Sequence, residues 1–89
     1  MNINPSLISL VARSKRRREI LNLLSKERKT QSEVMRETKM YKSHTARTLK
    51  ELIGNNLIKC LNPQDRSFKF YKITKKGVEV LKEIKKIIQ

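Results

Sequence analysis

Four side chains in one short stretch have the chemistry to read or hold a nucleic acid. Within YKSHTARTLKELIGNN, Tyr41 to Asn56, the residues Ser43, Arg47 and Lys50 recur at spacings of four and three, with His44 and Glu51 beside them. At about 100° per residue they fall on one side of a helix. They offer a hydroxyl, a guanidinium fork, an ammonium and an imidazole, groups that match base edges and phosphate oxygens in a major groove. Thr45, Leu49, Leu52 and Ile53 share the other side and suit docking on a core. Taken alone, the stretch reads more readily as an ordinary surface helix with a solvated polar face.

No constellation of comparable density supports catalysis. The chain has no Gly-rich phosphate loop and no Ser-His or Cys-His pair with a third group to orient it, so an enzyme is not expected, nor any cofactor. One histidine, His44, and one cysteine, Cys60, cannot build a metal site within a chain. Cys60 also excludes an internal disulfide and fits a reduced cytoplasmic setting. Its neighbour Lys59 would favour a thiolate and hence a redox switch, but strand cysteines usually serve as small buried hydrophobes, which is the reading preferred.

Charge raises the odds for the helix. A net +14 on 89 residues repels itself in a compact fold, and such an excess ordinarily meets a polyanion. Tyr41 to Gly77 holds nine Lys or Arg against two acids, whereas residues 78–89 hold three against two. A basic middle beside a near-neutral end separates a nucleic-acid surface from a contact surface. Generic solubility would account for scattered lysines but not for this asymmetry. Met1 to Ala12 is uncharged but far short of a membrane span, and no basic segment precedes it, so neither a membrane partner nor a signal peptide is expected. With 37% hydrophobic residues there is enough apolar material for one small core, so residues 1–89 are expected to form a single domain.

Several elements must position the basic helix. Asn4-Pro5 is a favoured helix start, and Leu7, Ile8, Leu10 and Val11 follow as an apolar patch. A break near Arg13-Ser14 precedes Lys15 to Arg18 and then Ile20, Leu21, Leu23 and Leu24. The basic cluster, Arg16 and Arg17 within it, either touches backbone phosphates or forms a solvated first turn. Lys26 to Lys29 reads as a polar linker. Thr30-Gln31-Ser32-Glu33 is a capping box that opens a helix over about 31–38 with Val34 and Met35 inward. Lys39-Met40 makes a turn that lacks the usual glycine, and the helix over 42–54 follows. Gly54-Asn55-Asn56 ends it with residues that tolerate positive φ.

Leu57–Leu61 and Phe68–Ile73 read as strands around a turn-rich loop that puts Arg66 near its tip, an antiparallel hairpin. Alternation brings at least one of Phe68 and Phe70 toward the surface, although both are read mainly as hairpin and core packing. Thr74 caps a last helix from Lys75 to about Ile88. Its apolar residues Val78, Val80, Leu81, Ile84, Ile87 and Ile88 spread over more than half its circumference, more than one docking face requires. The N-terminal patch has the same surplus. The expectation is that segments 1–13 and 75–89 pack together and against a second chain in a two-fold dimer, through Leu7, Ile8, Leu10, Val11, Leu81, Ile84, Ile87 and Ile88.

Helix, helix, helix, hairpin, helix is the order of a winged helix: α+β, mostly α, with a two-stranded wing hairpin and a C-terminal helix. The residues resemble MarR/ArsR-type winged helix-turn-helix transcription factors, especially small archaeal-type members. The matching stretches are Arg18 to Leu24, Thr30 to Val34, Ala46 to Leu52, Leu57-Ile58 and Tyr71 to Gly77, within roughly residues 14–82. The resemblance implies a recognition helix over about 42–54 in the major groove, with Ser43, His44, Arg47 and Lys50 at bases and Lys42 near phosphate. It implies a wing over 62–69 on the backbone or in the minor groove, with Arg66 and Lys69 as its contacts. It further implies double-stranded DNA as partner, a cytoplasmic, nucleoid-associated homodimer, and a regulator of transcription that represses by occluding a promoter. Tyr41 departs from the family by standing where a small capping residue is common, so the start of the recognition helix could be shifted. The rival functions are a non-specific architectural DNA coat and a winged helix that binds RNA or protein.

Overall fold

The computed structural model describes residues 4–88; the side chain of Ile88, expected at a dimer interface, lies outside what is described. Two helices open the chain, α1 (Pro5–Ala12) and α2 (Lys15–Lys26). Each has the cap its sequence promises: Asn4 accepts from the Ser6 amide, and Ser14 accepts from the Arg17 amide. The corner between them is closed by arginines. The Arg17 guanidinium donates to the Leu10 carbonyl at 3.0 Å and that of Arg18 to the Ala12 carbonyl. These carbonyls lie in the last turn of α1, where intrahelical donors run out and a cation is favoured.

Next come β1 (Lys29–Thr30), α3 (Gln31–Thr38), α4 (Lys42–Gly54), β2 (Ile58–Cys60), β3 (Phe70–Ile73) and α5 (Lys75–Ile88). The capping box is formed reciprocally: Thr30 Oγ1 accepts from the Glu33 amide at 3.2 Å, and Glu33 Oε1 accepts from the Thr30 amide at 2.8 Å. Lys39 takes the left-handed conformation, φ 60° and ψ 30°, that ends α3 and starts the turn into α4. A lysine thus performs the glycine's part at a modest steric cost. At the end of α4 the positive φ falls on Asn56, not on Gly54.

The sheet is antiparallel with β3 in the middle, in the order β1-β3-β2. Lys29 pairs with Tyr71 and Thr30 with Phe70, while Ile58 pairs with Ile73 and Cys60 with Tyr71. The strand β1 corrects the expectation of a polar linker over 26–29. Two residues carry no alternation to read; they are extended because β3 offers them an open edge to pair with. Lys29 is buried there, its ammonium 2.8 Å from Glu37 Oε2 and 3.2 Å from Glu27 Oε1.

The core is built from every helix and both hairpin strands: Val11, Ile20, Leu21, Leu24, Val34, Leu49, Leu52, Leu57, Ile58 and Val80 have almost no exposed surface, and Tyr71 and Ile73 of β3 are buried beside them. The first and last helices lie together, α1 against α5. Leu7, Val11, Leu81 and Ile84 are buried within the chain's own core. Of the residues expected at a dimer interface, Ile8 and Leu10 are partly covered and Ile87 is largely exposed, so these three retain surface for a second chain.

Hydrogen bonds to Glu33 and Asp65 give the fold a pH signature. The Thr30 amide beside Glu33, and the Phe68 and Ser67 amides beside Asp65, hold both carboxyls below their ordinary pKa. Each therefore contributes stability that is complete above its unfolded pKa and is lost as pH falls through the lower folded value. Lys29 is shifted up, first by its bond to Glu37 and then by that to Glu27. Its contribution is complete below the ordinary lysine value, about 10.4, and is lost as pH rises beyond it. Melting temperature against pH is expected to show a plateau between roughly pH 5 and pH 10, falling at both ends. Glu33→Gln and Asp65→Asn together should flatten the acid side; an acid limb unchanged in that double variant would contradict the assignment.

Candidate nucleic-acid interface

The helix α4 presents its polar side as its periodicity requires. Ser43, Arg47 and Lys50 are exposed, and His44 and Glu51 are half-buried on one flank. The buried side is Thr45, Thr48, Leu49 and Leu52. Ile53, expected inward, is 37% exposed. At 100° per residue it lies about 90° from the middle of the buried side, whereas Thr48 lies about 50° away on the other flank. Two buried threonines are tolerated because each hydroxyl is satisfied locally. Thr45 Oγ1 donates to the Tyr41 carbonyl at 2.9 Å and Thr48 Oγ1 to the His44 carbonyl at 2.8 Å, leaving their methyl groups to pack.

Tyr41 is the N-cap residue and makes no side-chain cap bond, yet α4 begins at Lys42 as expected. Its ring is 85% exposed beside the start of the helix. Glu51 Oε2 accepts from Arg17 at 2.9 Å. The helix carrying the candidate base-reading groups is thus tied to α2 by an ion pair joining positions 34 residues apart. Arg17, read as either a phosphate contact or part of a solvated first turn, is turned inward: one guanidinium nitrogen holds the end of α1 and another holds Glu51. Arg16 keeps 42% of its side chain exposed, with longer contacts to Glu19 at 3.4 Å and the Thr38 carbonyl at 3.5 Å.

The wing is a loop between β2 and β3 held by two side chains. Asn62 bridges its base: Oδ1 accepts from the Phe70 amide at 2.8 Å and Nδ2 donates to the Phe68 carbonyl at 2.6 Å. Asp65 organises its tip, Oδ1 accepting from the Ser67 and Phe68 amides at 2.8 and 3.0 Å. The ladder ends with the Leu61 amide on the Phe70 carbonyl at 2.8 Å, so both strands are shorter than the sequence suggests. Lys59, Arg66, Lys69 and Lys72 are all exposed on this hairpin. Cys60 is half-buried, with Sγ 3.9 Å from Asn62 Oδ1.

The three neighbouring aromatics have different fates. Tyr71 is buried, and burial raises its phenol pKa. Phe70 is half-buried under the Arg28 guanidinium, 4.7 Å from the ring centre. Phe68, expected in the packing of the hairpin, is 66% exposed. Asp65 and Asn62 bind its own amide and carbonyl, and this holds its backbone in the loop rather than in the strand.

A cleft of about 370 Å³ lies between the wing and the starts of α3 and α4. Lys42, Arg66 and Lys69 all line it, joining three of the sequence-identified cations from positions up to 27 residues apart. Gln31, Ser32 and Phe68 line it too and were not among the expected site residues. Gln31 and Ser32 are visible in the sequence only as the interior of a capping box. Among the described residues there is no group of three or more His, Cys, Asp or Glu able to hold a metal ion, and no helix long and apolar enough to cross a membrane.

Residues 15–89 match the family described as winged helix-turn-helix. No curated protein matches the sequence. Among solved structures, the transcriptional regulator BldR from Sulfolobus solfataricus superposes with a TM-score of 0.76 at 22% identity, over 84% of this chain and 55% of its own. HlyU from Vibrio cholerae gives 0.73 at 20% identity, over 92% and 83%. ZitR from Lactococcus lactis, solved in complex with DNA, gives 0.70 at 26% identity, over 80% and 49%. The chain spans about half the length of BldR and of ZitR. A helix pair whose second member shows a basic side, a hairpin wing beside it and a sequence match over most of the chain agree, and the protein belongs to the winged helix-turn-helix family.

Proposed function

We propose that the protein binds double-stranded DNA and regulates transcription, with α4 in the major groove and the wing on the backbone or in the minor groove. The observation that carries this reading is that α4 and the wing bring their cations to one cleft. Arg47 and Lys50 face outward from α4, and the Lys42 at its start shares one cleft with Arg66 and Lys69 of the wing. A surface of that kind complements a strand of phosphates while it aims one guanidinium at base edges. Ser43 and His44 complete the base-facing set. Catalysis has no part in this reading.

The regulator acts as a homodimer, through Ile8, Leu10 and Ile87 with Ile88 at the end of α5, and represses by covering a promoter. Two recognition helices related by a two-fold axis call for a pseudo-palindromic site with half-sites about one helical turn apart. That ZitR is solved in complex with DNA supports the choice of partner.

The test is selection from a random-sequence duplex pool at two salt concentrations, followed by sequencing. An enriched two-fold motif that survives the higher salt is the expected result. Uniform recovery that collapses as salt rises would show a non-specific coat instead, and sedimentation as a monomer at micromolar concentration would remove the dimer.

A further inference from the structure

Phe68 has no role in the reading above, and its setting is unusual for a phenylalanine. It is 66% exposed, it lines the cleft with Lys42, Arg66 and Lys69, and its backbone is held on both sides by Asp65 and Asn62. The loop therefore displays an apolar ring among three cations, on a backbone that is held in place. Nothing in the chain's own packing calls for this, since Phe70 and Tyr71 already fill the hairpin.

One strand of a duplex alternates anionic phosphates with the apolar faces of deoxyribose. We propose that the cleft seats one such strand, Lys42, Arg66 and Lys69 taking its phosphates while the Phe68 ring packs on the sugar between them. The inference rests on the proposed binding of duplex DNA and adds a contact that carries no charge. A duplex suits the site better than a single strand, because single-strand binders stack successive bases on a platform of aromatics. Here the neighbouring rings are withdrawn: Phe70 lies under Arg28 and Tyr71 is buried.

Salt separates this contact from its neighbours. Counterion release makes affinity fall with salt in proportion to the phosphates neutralised, whereas burial of a ring against a sugar releases no ions. Binding of the full chain to its selected duplex would be measured by fluorescence anisotropy over a range of salt. Phe68→Ala is expected to weaken binding roughly tenfold at every salt concentration, with an unchanged slope of log K against log salt. Arg66→Ala should instead lower the magnitude of that slope by about one. Phe68→Leu, which keeps an apolar side chain, should recover part of the loss. Circular dichroism would verify that the variants fold, as expected for a surface position.

Wild-type affinity in Phe68→Ala would overturn the proposal while leaving the DNA-binding reading intact. A Phe68→Ala loss that vanishes at high salt would also overturn it, by making the ring's effect electrostatic. Tighter binding of the wild-type chain to single-stranded than to duplex DNA, with that preference lost in Phe68→Ala, would show the ring stacking on bases instead. Failure of the wild-type chain to bind any duplex would overturn both readings together.

Discussion

Gly77→Ala is expected to destabilise the domain by about 3 kcal/mol, against the usual sign for glycine in a helix. In an open helix the exchange gains about 1 kcal/mol, because alanine has less backbone freedom to lose. Gly77 lies buried in the first turn of α5, and a Cβ there would come within 2.2 Å of the Leu57 carbonyl oxygen and 2.7 Å of Ile73 Cγ1. The carbonyl cannot withdraw freely, since it accepts the Thr74 amide at 3.0 Å. Thr74 in turn donates its hydroxyl to the Asn56 carbonyl at 2.7 Å and accepts the Gly77 amide at 3.0 Å. Relief of the clash must move α5 away from the base of the wing.

Denaturant unfolding measures the cost directly, and a drop in Tm of about 15 °C is expected for a domain of this size. Gly54→Ala is the matched control, because nothing lies within 4 Å of a Cβ at that position. It should be neutral or stabilising by up to about 1 kcal/mol. Equal effects at the two glycines would show that propensity, not the close approach at Leu57, governs Gly77.

Arg47→Ala should cost about 1–3 kcal/mol in binding to the selected site and relax preference at one base position. Arg47 is exposed at the centre of the outward side of α4, and no acid pairs with it among the described residues. Its fork matches the O6 and N7 acceptors of guanine in two parallel bonds, which an ammonium cannot do. Arg47→Lys retains the charge and should still lose most of the preference. A uniform loss across all sequences, rescued by lysine, would reassign Arg47 to phosphate. Arg17→Ala offers an instructive contrast: it should lower stability, because the end of α1 and Glu51 would both lose their partner.

What the sequence determined by itself is local. The caps at Asn4, Ser14, Thr30 with Glu33, and Thr74 bind amides two or three residues away, so their outcome depends on little beyond their own turn. They set the starts of α1, α2, α3 and α5, and helical periodicity alone was enough to place Ser43, Arg47 and Lys50 outward. The placement of charge along the chain was legible in the same way, because it is a property of the string.

Tertiary structure decided whatever depends on a partner distant in sequence. β1 exists because β3 has an edge to pair with, and Lys29 is buried because Glu27 and Glu37 converge on it. Arg17 and Arg16 look alike in a run of four cations, yet Arg17 alone meets Glu51, 34 residues on. Thr48 is buried and Ile53 exposed because the angle to the core outweighs hydrophobicity once a hydroxyl has an intrahelical acceptor. Phe68 turns outward because Asp65 and Asn62 claim its backbone, a competition between loop and strand that alternation does not register. The cleft is of the same kind: Lys42 meets Arg66 and Lys69 only when the hairpin folds back beside α3 and α4.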